Sequence, residues 1–153
     1  ESSPYIYAAP IKLEVDWSAK KIKDVIEDIK SNVNIDENRI YLTGLSMGGR
    51  GTFIVASELP DYFAAIMPLS PHHQPYSYVP LAESISHIPI WMSHGNIDYV
   101  SSYGLALEMF NALTSFGANV IFRTEYEIGH WGWEDIYSDS LVMNWLLSIE
   151  KAQ

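Results

Sequence analysis

The run from Arg39 to Gly51, Arg-Ile-Tyr-Leu-Thr-Gly-Leu-Ser-Met-Gly-Gly-Arg-Gly, constrains this chain more than any other stretch. Ile40, Tyr41 and Leu42 form a short apolar run of high β propensity, and Gly44-Leu45-Ser46-Met47-Gly48 follows the pattern Gly-x-Ser-x-Gly. Residues 50–58 suit a helix closed by Pro60. A strand, a sharp turn and a helix are therefore expected, with Ser46 at the apex. Such a turn holds its serine in a strained backbone conformation. Strand and helix pass so close that a Cβ two residues to either side would clash, which explains Gly44 and Gly48. The serine Oγ then stands clear of the sheet, and the helix behind it aims its amide dipoles at the site. The bare five-residue pattern arises by chance, and the β-run before it with the helical run after it gives it weight.

A serine is inert near neutral pH without a base and an orienting acid. Downstream, residues 88–98 read as an apolar strand running into a polar turn, His94-Gly-Asn-Ile-Asp98, which leaves Asp98 just past the strand end. A second β-prone run, residues 119–126, precedes Gly129-His130-Trp131 and puts His130 in the next loop. Residues just beyond the carboxyl ends of parallel strands converge on one crevice, so Ser46, Asp98 and His130 become neighbours although they are far apart in sequence.

These runs, together with Leu59-Pro-Asp-Tyr-Phe-Ala-Ala-Ile and Gly129-His-Trp-Gly-Trp, resemble the α/β-hydrolase esterases related to dienelactone hydrolases and prolyl-oligopeptidase catalytic domains. Feruloyl-esterase-like and polyester-depolymerase-like enzymes belong to the same neighbourhood. The resemblance implies Ser46 as nucleophile, Asp98 as orienting acid, His130 as general base, and the amide of Met47 as an oxyanion donor. Dienelactone hydrolases use a cysteine nucleophile; with no cysteine in the chain, that activity is disfavoured. The implied fold class is α/β: a three-layer sandwich around a mainly parallel sheet, in one domain over residues 1–153.

The resemblance covers nearly the whole chain from about Tyr5 and implies a truncated, minimal version of the fold. It aligns residues 5–9, Tyr-Ile-Tyr-Ala-Ala, with the family's fourth strand, so that earlier strands and the loop donating a second oxyanion amide have no counterpart. Residues 5–9 are accordingly expected either to slide in beside the nucleophile strand or to leave a gap that a partner chain fills. If residues 5–9 take the third strand's place, a backbone amide between Ile11 and Glu14 is a candidate second donor. The alternative leaves that loop in solvent with the Met47 amide acting alone. The exposed edge leads to the expectation of a homo-oligomer, most simply a two-fold dimer.

Composition narrows the class. About 150 residues suffice for one well-buried core. The formal charge of −10 argues against nucleic acid or an anionic membrane as partner, since both call for clustered Lys and Arg. No run of about 18 apolar residues suggests a membrane span. No basic amino-terminal region followed by an apolar stretch marks a signal peptide. The absence of cysteine excludes disulfides and thiolate metal sites and leaves the compartment open.

The remaining periodicities alternate helix and strand. Ile22, Val25, Ile26 and Ile29 share a helical face after Asp16; residues 63–69 read as a strand interrupted by Pro68. Residues 101–116 read as a helix ended by Gly117, and residues 134–149 as one final helix. Residues 70–86 are the loosest segment. In it, His72 and His73 point to different sides as neighbours, which suits metal binding poorly. Their position relative to the family makes them the rim of the substrate crevice, against the alternative of a solvated loop. Trp131 and Trp133 flank His130, one expected in the core and the other against substrate, with Trp131 taken as the substrate contact. His94 reads as a structural loop residue, and Asp135 and Asp139, on the last helix, as poor candidates for the acid. The reading is a serine carboxylesterase for small esters, with no cofactor and no metal. The alternatives are a serine peptidase of prolyl-oligopeptidase type and a non-catalytic α/β scaffold.

Overall fold

The computed structural model describes residues 5–151. Strands β1 (Tyr41–Leu45), β2 (Ala65–Leu69), β3 (Ile90–Gly95) and β4 (Val120–Glu125) form a sheet in the order β1-β2-β3-β4, every pair parallel. Helices α1 (Ala19–Asn32), α2 (Met47–Glu58), α3 (Ala82–Ile85), α4 (Tyr103–Ser115), α5 (Trp133–Ser138) and α6 (Ser140–Ser148) complete the chain.

Side-chain alternation along the strands sorts the core into two halves, as a sheet covered on both faces requires. Ile66, Ile90 and Met92 face one way and pack with Ile22 of α1, Phe53 and Val55 of α2, Ile85 of α3, and Met109 and Leu113 of α4. Ala65, Met67, Leu69 and Trp91 face the other way, against Ile136 of α5 and Val142 and Leu146 of α6. This is the three-layer α/β sandwich expected from the sequence. Pro68 is tolerated inside β2 because the β2–β3 ladder pairs Ile66 with Ile90 and Leu69 with Ser93, passing over the residue that has no N–H to give.

Polar residues set the helix ends. Ser18 caps α1 through the Lys21 amide at 3.4 Å, and Ser102 caps α4 through the Leu105 amide at 3.2 Å. The single last helix expected over residues 134–149 is instead two, α5 and α6. Asp139 leaves the helical region at φ −71°, ψ 111°, and its carboxylate accepts from the Leu141 amide while Arg123 binds its other oxygen at 2.6 Å. An aspartate with both partners in reach is better placed as a cap than within a helix. Within the segment expected to be loosest, residues 79–85 are helical, and Tyr78 is buried against Phe53 with ring centroids 4.9 Å apart.

The strand expected at residues 5–9 does not form. These residues make no ladder with β1; Tyr5, Ile6 and Tyr7 remain 45%, 57% and 76% exposed. β propensity is realised only on a paired, pleated surface, and these residues lie along a groove beside β1 without pairing with it. Among the described residues β1 pairs with β2 alone. Its other edge borders this groove of about 1090 Å³, lined by residues 5–10 together with Ile22 and Ile26 of α1, Tyr137 of α5 and Leu146 of α6. No helix among the described residues is long and apolar enough to cross a membrane.

The two-fold dimer expected from the sequence would cover this edge. Light scattering at micromolar concentration is then expected to give twice the 17.3 kDa of one chain; the mass of a single chain would remove the dimer.

Candidate active site

β1 runs directly into α2 through Ser46, which adopts φ 53° and ψ −115°. A non-glycine residue there carries strain on the order of 1–3 kcal/mol, and the surroundings must hold it. They do so through its backbone. The Ser46 amide donates to Leu69 O at 2.9 Å, and its carbonyl accepts from the amides of Arg50 at 3.0 Å and His72 at 2.9 Å. A Cβ on Gly44 would fall 2.5 Å from the Gly48 carbonyl carbon, so strand and helix touch here and glycine is required. Gly48 differs from expectation: a Cβ there would meet nothing within 4 Å. The close approach is satisfied from one side only, because the atoms Gly44 would strike are the backbone of Gly48.

Asp98 and His130 lie on the loops after β3 and β4, and those loops are laced together. Asn96 donates its amide to Glu125 O at 3.1 Å, Ile97 to Ile128 O at 3.2 Å, and Glu127 to the Asn96 side chain at 2.7 Å. Gly95 makes this possible, since a Cβ on it would sit 2.2 Å from Ile128 O. The result is a continuous hydrogen-bond chain. His130 Nε2 is 2.8 Å from Ser46 Oγ, and His130 Nδ1 is 2.7 Å from Asp98 Oδ2. Because Nδ1 faces a carboxylate it carries the proton, which leaves Nε2 to accept from the serine. The imidazole is further held by Trp133, perpendicular to it at 4.9 Å between ring centroids. The Trp133 indole N–H donates to Ser70 Oγ at 3.1 Å.

The acid is fully enclosed. Burial pushes its carboxyl pKa up, but the Ser101 amide, His130 and the Val100 amide together outweigh that and hold it below the ordinary 3.8. The two amides lie 2.8 and 2.9 Å from Oδ1. Asp98 is therefore an anion at neutral pH, fit to orient an imidazole and to stabilise it when protonated.

The chain's profile places it among known proteins at this point: that of the phospholipase/carboxylesterase group matches residues 10–140. The chain belongs to the phospholipase/carboxylesterase family. A solved thermostable esterase superposes with a TM-score of 0.79 and 30% identity, over 86% of this chain and 36% of that one. The poly(3-hydroxyalkanoate) depolymerase C of Paucimonas lemoignei is 40% identical over 52 residues, 34% of this chain. A bifunctional acetylxylan esterase/xylanase of Neocallimastix patriciarum is 32% identical over 93 residues, 57% of this chain. Each match spans 13% of the length of the curated relative.

Other carboxylesterase features expected from the sequence fall into two groups. Met47 opens α2, so its amide is one of the early donors that the helix itself leaves unbonded. His72 reaches the elbow through its backbone, and the His72 and His73 rings do not diverge: they stack at 5.2 Å and 15°. Each ring accepts an amide at 3.2 Å, from Gln74 and Ser102 respectively, which turns both to the same side. Trp131 is 57% exposed while Trp133 packs inward, so the indole facing out beside His130 is Trp131.

Ile11 and Leu13 are exposed, Lys12 folds onto the carbonyls of Glu14 and Val15, and Glu14 pairs with Lys21 of α1. What reaches the elbow from this end of the chain is Trp17, whose indole donates to Met47 O at 2.8 Å. Asp16 joins Arg50 of α2 through both carboxylate oxygens, at 2.8–3.2 Å. No cluster of three metal-ligating side chains occurs among the described residues. The contributions of Gly95 and Ser70 are invisible in sequence, because each is defined by a contact with a remote loop.

Gly44→Ala is expected to cost about 3 kcal/mol through overpacking, read as a lowered Tm. Gly48→Ala should leave Tm unchanged or raised, since alanine is the better helix former. The fold favours the charged form of Asp98, so its contribution to stability is complete above about pH 3.8 and is lost as pH falls through its lower native value. The Tm gap between the wild-type chain and Asp98→Asn should hold at neutral pH and narrow below that point, as thermal melts at stepped pH will read.

Proposed function

We propose that this chain carries a serine carboxylesterase site that hydrolyses small carboxylic esters through an acyl-enzyme on Ser46. The observation that carries the reading is the unbroken chain Ser46 Oγ, His130, Asp98, at 2.8 and 2.7 Å, set at the start of α2. Membership of the carboxylesterase family and relatives named as an esterase and a depolymerase point the same way.

Ser46 Oγ attacks the ester carbonyl carbon as its proton passes to His130 Nε2. Asp98 Oδ2 holds the Nδ1–H and stabilises the imidazolium that forms. The carbonyl oxygen, now an oxyanion, takes the Met47 N–H and the positive end of the α2 dipole. His130 then delivers the proton to the leaving alkoxide as the C–O bond breaks, and the alcohol departs. A water attacks the acyl carbon, giving its proton to His130. Collapse of the second tetrahedral intermediate expels Ser46 Oγ, which regains that proton, and the acid is released. His72, His73 and Trp131 form the rim against which the ester group lies.

Hydrolysis of a p-nitrophenyl short-chain ester tests this. Ser46→Ala and His130→Ala should each lower kcat by about 10⁴-fold or more, and their double variant should be no worse than either alone, because the groups act as a unit. Asp98→Asn should lower kcat by about 10⁴-fold through the wrong imidazole tautomer. A folded His130→Ala chain with near-normal turnover would refute the assignment of the base, and a wild-type chain with no turnover of any ester would leave a scaffold.

A further inference from the structure

His94, at the carboxyl-terminal end of β3, has its side chain wholly out of solvent. Its Nε2 lies 3.2 Å from Ser101 O and 3.3 Å from Asp98 Oδ2. Both neighbours are acceptors only, so Nε2 carries the proton, bonded to Ser101 O with the Asp98 carboxylate beside it. Nδ1 is buried and meets no hydrogen-bond partner. A second proton there would be an enclosed N–H with no acceptor, so the ring is neutral with one tautomer. Burial lowers its pKa, against the opposing pull of the Ser101 carbonyl and the Asp98 charge. The Tyr103 ring stands edge-on at 5.8 Å and fixes the plane.

We infer that His94 is a positioning residue for the proposed reaction, a neutral imidazole whose Nε2–H steers the Asp98 carboxylate that orients His130. The surrounding bonds close a ring. His94 holds the Ser101 carbonyl, the Ser101 amide holds Asp98 Oδ1 at 2.8 Å, and Asp98 Oδ2 takes the bond from His130 with His94 Nε2 3.3 Å away. Ser101 Oγ extends this ring to Pro71 O at 2.6 Å, one residue before the amide that binds the Ser46 carbonyl. The loop after β3, braced by His94, is thereby tied to the loop after β2 through Ser101 and to the loop after β4 through Asp98. An apolar side chain of similar volume would avoid the unpartnered Nδ1 but would give Asp98 no donor. The titratable groups facing this centre are Asp98 on its own loop, Tyr103 on α4, His73 through Ser102 on the loop after β2, and His130 on the loop after β4.

The inference rests on the triad reading, and the variants separate the two. Ester hydrolysis is followed from about pH 5 to 9 for the wild-type chain, His94→Leu, His94→Gln and Ser46→Ala. With Oδ2 freed of one donor, its charge holds a protonated His130 more tightly, so His94→Leu should move the acidic limb of kcat/KM to higher pH. Its kcat should fall about tenfold with KM little changed, far less than the ~10⁴-fold cost of losing the acid's role. His94→Gln, which places an amide N–H where Nε2 stood, should restore both. A folded His94→Leu chain with the wild-type limb and kcat would overturn the inference, as would a glutamine variant no better than leucine.

Should the leucine variant not fold, ¹⁵N spectra of the wild-type chain decide. The imidazole whose signal vanishes in His94→Gln should stay neutral and Nε2-protonated from about pH 5 to 8. Titration in that range, or an Nδ1–H tautomer, would overturn it equally. Full activity in Ser46→Ala would instead sink the triad reading itself.

Discussion

The backbone of Ser46 is the constraint around which the molecule is arranged. A positive φ at a residue with a side chain is unfavourable, and it persists because three hydrogen bonds and one glycine contact surround it. Each of those supports belongs to a different element: Leu69 from β2, Arg50 from α2, His72 from the following loop, and Gly44 from β1. The elbow is thus where the crossover from β1 to β2 is locked, and it presents Ser46 Oγ to His130.

A second lock works on the other two strand-end loops. Gly95 lets the loop after β3 lie directly on that after β4, and three hydrogen bonds between them set the spacing of Asp98 and His130. Sheet register carries this to the serine, since Leu45 pairs with Leu69 and Leu69 with Ser93. A shift at either lock would lengthen the bonds at 2.7 and 2.8 Å that connect acid, imidazole and hydroxyl.

The ionic groups are unevenly placed. Most of the acidic residues face water, where they contribute little to stability. Among the described residues two charged sites are enclosed. Arg50 is 3% exposed and binds Asp16 and the Tyr76 carbonyl, pinning the segment before α1 and the loop after β2 to the nucleophile helix. Asp98 is held by amides and imidazoles and meets no cation of fixed charge. A buried anion neutralised by N–H donors can share its charge with His130 when that ring is protonated, which a permanent salt bridge would compete against.

The α/β sandwich, the elbow and the three residues of the hydrogen-bond chain were legible from sequence, because each has a local signature. Glycines mark a turn too tight for a Cβ, apolar runs mark buried parallel strands, and polar residues just after such runs must lie at one end of the sheet. The strand expected at residues 5–9, the unbroken last helix, the diverging histidine rings and a Cβ clash at Gly48 were not realised. In each, a contact made only in the folded chain decided: the missing ladder to β1, the Arg123 contact with Asp139, the amides of Gln74 and Ser102, and the one-sided approach of Gly44. The amino-acid sequence by itself determined which residue types could do chemistry here and on which loops they stand. Only the tertiary structure decided their protonation and their distances, because burial and hydrogen-bond partners are properties of packed neighbours and not of any segment alone.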